Sequence, residues 1–127
     1  MAKILIVDDD ADVLELLKFH LDRTGHEAFT ARGGADGLER AAYDRPDVVL
    51  LDLRMPIVDG VRVLQILRDN PLTQNVGVII MSAGPLGELR PRLAVDERVR
   101  CLEKPLDFGQ LAVILAELLA KGVSSRA

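Results

Sequence analysis

The chain has one cysteine, two histidines, no excess of basic residues and no apolar run near the roughly 20 residues needed to cross a bilayer. Each shortage removes a class of protein. A lone Cys101 forms no internal disulfide, which fits a reducing compartment and a small hydrophobic role on a strand. Lys and Arg number 16 against 20 Asp and Glu, for a net charge of −4, so the concentrated basic face of a nucleic-acid binder is not expected. His20 and His26 have no partner at metal-ligand spacing, and neither is assigned phosphohistidine or metal chemistry. Met1-Ala2-Lys3 leads directly into a short apolar run and three aspartates rather than a signal-peptide pattern, so a cytoplasmic protein with no membrane attachment is expected. There is no internal repeat and no low-complexity tract.

What remains is a chain of 127 residues, 49% hydrophobic and 28% charged, the composition of one globular domain. Four apolar runs end in polar groups: Ile4 to Val7 before Asp8-Asp9, Val48 to Leu51 before Asp52, Val78 to Met81 before Ser82, and Cys101-Leu102 before Glu103-Lys104-Pro105. Short runs rich in Val and Ile, without polar alternation, read as strands buried on both faces of a parallel sheet. The carboxyl ends of such strands share one edge, where ligands bind, so these groups are expected to meet.

Helical spacing appears between the strands. Asp12 to Thr24 carries Val13, Leu14, Leu16, Leu17 and Leu21 before Gly25, with Asp10 and Asp12 favouring the positive end of the helix. Glu27 to Ala31 reads as a further strand, and Gly34 to Ala42 as a helix with Leu38 and Ala41 inward. Val61, Leu64, Ile66 and Leu67 mark a third helix, entered through an Asp59-Gly60 turn and closed by Asn70-Pro71. A fourth, over Leu86 to Ala94, is expected to be short, shifted or mobile because Pro91 falls within it. The last opens on Asp107 and Gln110, carries Leu111, Ile114, Leu115, Leu118 and Leu119, and stops at Gly122. This alternation predicts an α/β fold of five β-α units with helices on both faces of a parallel sheet. Residues 1–121 are expected to form the domain and 122–127 a tail.

Three carboxylates in one crevice repel each other, and a cation that takes oxygen ligands, such as Mg²⁺, would let them stay ionised. A carboxylate there can attack phosphorus and form an aspartyl phosphate, with Lys104 and Ser82 able to cover the phosphoryl oxygens.

Asp8-Asp9, the stretch Asp52-Leu53-Arg54-Met55-Pro56-Ile57-Val58-Asp59-Gly60, Ser82-Ala83 and Lys104-Pro105 resemble, in order and spacing, the signature of the receiver domain of two-component response regulators. The resemblance spans residues 3 to about 121. It implies a flavodoxin-like three-layer sandwich with strand order 2-1-3-4-5. It further implies that Asp52 is the phosphoacceptor and that Asp9, Asp52 and the backbone carbonyl of Arg54 hold Mg²⁺, with Asp8 acting through water. Ser82 and Lys104 would contact the phosphoryl oxygens, and the Lys104-Pro105 bond would be cis. The expected donors are a histidine kinase or a phosphotransfer protein. The expected output is a protein partner bound at the face of the fourth helix, fifth strand and fifth helix, with no enzymatic activity beyond gaining and losing the phosphoryl group.

The chain departs from the family at Cys101, where receivers usually carry a gating aromatic. Arg90, Arg92, Arg98 and Arg100 make a basic stretch nearby, a solvated face or a docking surface for an acidic partner. Apolar residues around the last helix leave a patch for a phosphorylation-linked homodimer. The residues also fit a module cut from a longer DNA-binding regulator or hybrid kinase. A haloacid-dehalogenase-type phosphatase shares the Asp-x-Asp of Asp8-Asp9-Asp10, but that resemblance leaves Asp52 and the turn through Asp59-Gly60 unexplained.

Overall fold

The computed structural model describes residues 2–55, 57–83 and 97–126, with side chains to residue 120. Its strands β1 (Lys3–Val7), β2 (Glu27–Ala31), β3 (Val48–Asp52), β4 (Gly77–Ser82) and β5 (Val99–Glu103) form one parallel sheet in the order β2-β1-β3-β4-β5. Helices α1 (Ala11–Arg23), α2 (Gly34–Asp44), α3 (Gly60–Asp69) and α4 (Phe108–Arg126) cover both faces. This is the expected flavodoxin-like architecture. The helix expected over Leu86 to Ala94, with its Pro91 break, lies outside the described residues, so α4 here is the last helix. No helix among the described residues is long and apolar enough to cross a membrane.

The strands look uniformly apolar because both faces are covered, yet they sort with period two. Leu5, Val7, Val49, Leu51, Val78 and Ile80 join α2 and α3. Ile4, Ile6, Val48, Leu50, Ile79 and Met81 join the leucines of α1 and α4.

Local chemistry sets the helix ends. Asp10 caps α1 by accepting from the N–H groups of Asp12 and Val13, and Gly25 follows the helix at φ 92°. Asp59 is more than a turn residue: its carboxylate accepts from the Arg62 N–H and caps α3. In α3, Val61, Leu64 and Leu67 are buried as expected, but Val63 is buried where Ile66, only half-buried, was expected. Helix α4 passes through Gly122, the expected stop, since one glycine weakens a helix without ending it. Cys101 is half-buried rather than buried, because β5 is an edge strand.

On the other edge, the Lys18 ammonium bonds both Asp22 Oδ2 and the Ala28 carbonyl, each at 2.9 Å, while Asp22 Oδ1 accepts from the Ala28 N–H at 3.2 Å. His20 stacks on Phe108 with ring centroids 3.9 Å apart, tying α1 to the start of α4.

Candidate functional site

The chain leaves β1 for β2 on one side and returns to β3 on the other, so β1 and β3 are neighbours whose carboxyl ends open side by side. Val7 pairs with Leu51, which places Asp8 and Asp52 just beyond adjacent rungs. Asp52 pairs with Met81 and Ser82 with Glu103, extending the same edge across β4 and β5. The Lys104 N–H donates to the Ser82 carbonyl at 2.7 Å, and the Lys104-Pro105 bond is cis, as the resemblance implies.

Lys104 reaches back over this edge. Its ammonium lies 3.0 Å from Asp8 Oδ2 and 3.2 Å from Asp52 Oδ1, bridging two buried carboxylates that sit forty-four positions apart in the chain. Asp8 also accepts from the Asp10 N–H at 3.0 Å. Asp8, Asp9 and Asp52 each offer one oxygen within 4.8 Å of the others. Asp9 and Arg54 are both exposed. Ser82 is buried at the end of β4.

The electrostatics follow from this crowding. Burial, then the charge of Asp8, raises the Asp52 carboxyl above the usual carboxylate range, and the Lys104 charge and hydrogen bond only partly oppose them. Burial alone would lower Lys104, but its hydrogen bond to Asp8 and the charges of Asp52 and Asp8 outweigh that and hold its ammonium above the ordinary lysine range. One ammonium faces three carboxylates, so the site retains unbalanced negative charge. Hard carboxylate oxygens at this mutual distance suit Mg²⁺, and the residues present therefore fit that ion.

Two features of the site's surroundings were not read from the sequence. Ile57, in the loop after β3, adopts φ 70° with its side chain fully exposed. A β-branched residue rarely occupies that region, and no local motif announces it. Gly34, the first residue of α2, packs against Val58 in the same loop; the Gly33-Gly34 pair was the only available signal.

Comparison with known proteins agrees with this geometry. The model of the response regulator receiver domain matches residues 4–116. The chain is 40% identical over 120 residues to the transcriptional regulatory protein PrrA of Mycobacterium tuberculosis, covering 94% of this chain and 47% of that protein. It is 40% identical over 87 residues to sporulation initiation phosphotransferase F of Bacillus subtilis, covering 68% and 67%. A putative response regulator from Chloroflexus aurantiacus superimposes with a TM-score of 0.84 at 28% identity, covering 94% of this chain and 98% of the other. The chain spans about half the length of the PrrA proteins it matches.

Proposed function

The chain belongs to the receiver family of response regulators, the phosphorylation-dependent switches of two-component signalling, and we propose that Asp52 is its phosphoacceptor. The observation that carries this reading is the Lys104 ammonium held between Asp8 and Asp52. It offsets part of the crevice's negative charge at rest and stands where more negative charge arrives.

An Asp52 carboxylate oxygen attacks phosphorus as the donor's phosphorus–nitrogen bond breaks, with the bonding electron pair leaving on the imidazole of a histidine kinase or phosphotransfer protein. Lys104 then turns from the carboxylates toward the phosphoryl oxygens, and the Ser82 hydroxyl donates to another. Asp9, Asp52 and the Arg54 carbonyl would hold Mg²⁺, with Asp8 assisting through water. Bound Mg²⁺ would offset the repulsion among these carboxylates and the charge on the phosphoryl oxygens. Self-phosphorylation from small donors and self-dephosphorylation are the extent of its catalysis.

Residues 1–121 form the switch, which works in the cytoplasm. Its output surface is the face of β5 and α4, where an open groove of about 800 Å³ is lined by Cys101, Lys104, Pro105, Gly109, Val113 and Ile114. Apolar Val113, 60% exposed, supports a partner or a second copy docking there on phosphorylation.

The test is intact mass after incubation with acetyl phosphate, with and without Mg²⁺, for wild type and Asp52→Asn. Gain of one phosphoryl group that needs both Mg²⁺ and Asp52 is the expected result. No gain in folded wild type would reduce the site to a scaffold. The half-length match to PrrA favours a second reading of context, in which this receiver is one part of a longer regulator and output passes through a further domain.

A further inference from the structure

Glycines 33 and 34 are adjacent but stand there for different reasons. Gly33 caps α2 at φ 104° with nothing within 4 Å of where a side chain would begin. Gly34 does not have a left-handed backbone, so conformational freedom is not its reason. A methyl on Gly34 would lie 2.6 Å from the Val58 carbonyl oxygen and 2.9 Å from both Val58 Cβ and Val63 Cγ2. The tightest of these contacts is with backbone, which no side-chain rotation relieves.

Val58 belongs to the loop between Asp52 and α3, which backbone hydrogen bonds tie at both ends. The Leu53 N–H donates to the Met81 carbonyl and the Gly60 N–H to the Leu53 carbonyl, both at 2.9 Å. Between those ties Ile57 holds a left-handed backbone while its own side chain touches only solvent. The next residue, half-buried Val58, packs on the core beneath α2 and helps to hold it there.

We infer that Gly34 is a positioning residue for the metal site: its missing side chain lets α2 close on Val58, and that contact fixes the loop that presents the Arg54 carbonyl. The inference rests on the Mg²⁺ site proposed above. When bulk is added, the loop is the part that yields. Retreat of α2 would unpack buried Gly37 and Ala41 from the sheet, whereas the loop at exposed Ile57 and half-buried Val58 has less packing to lose.

The experiment is a Mg²⁺ titration of metal-free protein, followed by calorimetry and by the amide resonances of Leu53, Arg54 and Met55, with a thermal melt of each variant. Gly34→Ala should raise the Mg²⁺ half-saturation concentration by about tenfold, in line with losses at groups that orient metal ligands, and shift those amides before metal is added. Leu67→Ala, a core truncation on the same face away from the loop, should lower the melting temperature while keeping wild-type half-saturation. Val58→Ala keeps the carbonyl and Cβ that Gly34 approaches but strips the methyls that seat the loop on the core, without adding bulk, so it decides the matter if Gly34→Ala fails to fold, and it too should weaken Mg²⁺ binding. Wild-type half-saturation in folded Gly34→Ala, or in Val58→Ala should Gly34→Ala not fold, would overturn the inference. Absence of Mg²⁺ binding by the wild type would instead overturn the metal reading on which it rests.

Discussion

On one face of the sheet, α1 and α4 lay Leu14, Leu17, Leu21, Leu111, Leu115 and Leu118 across the even-numbered residues of β1 and β3; on the other, α2 presents Gly34, Gly37 and Ala41 and comes down almost backbone to side chain. A leucine layer holds its helices through many soft contacts, and small displacements are shared among them. A glycine contact has no such slack. Both faces stabilise the fold through buried apolar area, the second by way of α3, but the close glycine contacts of α2 also fix where the strand end and the loop after Asp52 must lie. Slack and precision are thus divided between the helices, and the division can be tested.

The largest effect belongs to the leucine face. Leu118→Ala should cost about 2–5 kcal/mol in urea unfolding, while the protein that remains folded gains a phosphoryl group as wild type does. Loss of phosphorylation in folded Leu118→Ala would break the division of labour. Next comes Gly37→Ala, whose methyl would meet both Val7 methyls at 2.8 Å. Overpacking of about 1–3 kcal/mol should exceed the roughly 1 kcal/mol gained in helix propensity, for a smaller net loss by the same assay. Because Val7 precedes Asp8, the Asp8 resonances should move as well. A more stable Gly37→Ala protein would mean that α2 rides as loosely as α1.

A third change concerns the edge that both faces share. Asp52 titrates above its unfolded value of 3.8, so its favourable contribution is complete below that pH and is lost as pH rises through the elevated folded value. Metal-free Asp52→Asn should therefore melt higher than wild type near neutrality, by less than either core change shifts it, and the gap should close toward pH 4. A gap that widens on acidification would show that the Lys104 pairing outweighs burial. Ile57→Gly should have the smallest effect. Relief of about 1–2 kcal/mol of left-handed strain is offset by about 0.5–1 kcal/mol of added backbone entropy in the unfolded chain, leaving a slight rise in the urea midpoint.

The four apolar runs and the polar groups that end them were readable because burial on both faces forces a composition, and a parallel sheet then fixes the edge where Asp8, Asp52, Ser82 and Lys104 collect. Helix starts at Asp10 and Asp107 were readable for a similar local reason: a short side chain accepts from N–H groups two or three residues on. Asp59 used the same chemistry but was read as a turn, because Asp-Gly signals both. The stack of His20 on Phe108 depends on packing between elements far apart in sequence. So does the left-handed cap at Arg45, φ 50°, which ends α2 without the usual glycine. The closeness of α2 escaped for a subtler reason: a glycine in sequence does not say whether it was chosen for its backbone or for its emptiness.

The Ala28 peptide groups held by Lys18 and Asp22 have one more consequence. Along β2, the Glu27 N–H turns inward to the Ala2 carbonyl and the Ala31 carbonyl accepts from the Asp8 N–H, while Ala28 faces outward and finds both of its partners on α1. Two side chains stand in for the missing neighbour strand. An exposed parallel edge is a template on which another chain can polymerise, and here an acid and a base from the adjoining helix terminate the ladder at Ala28, which lets the domain be crowded beside copies of itself without their sheets merging at that rung.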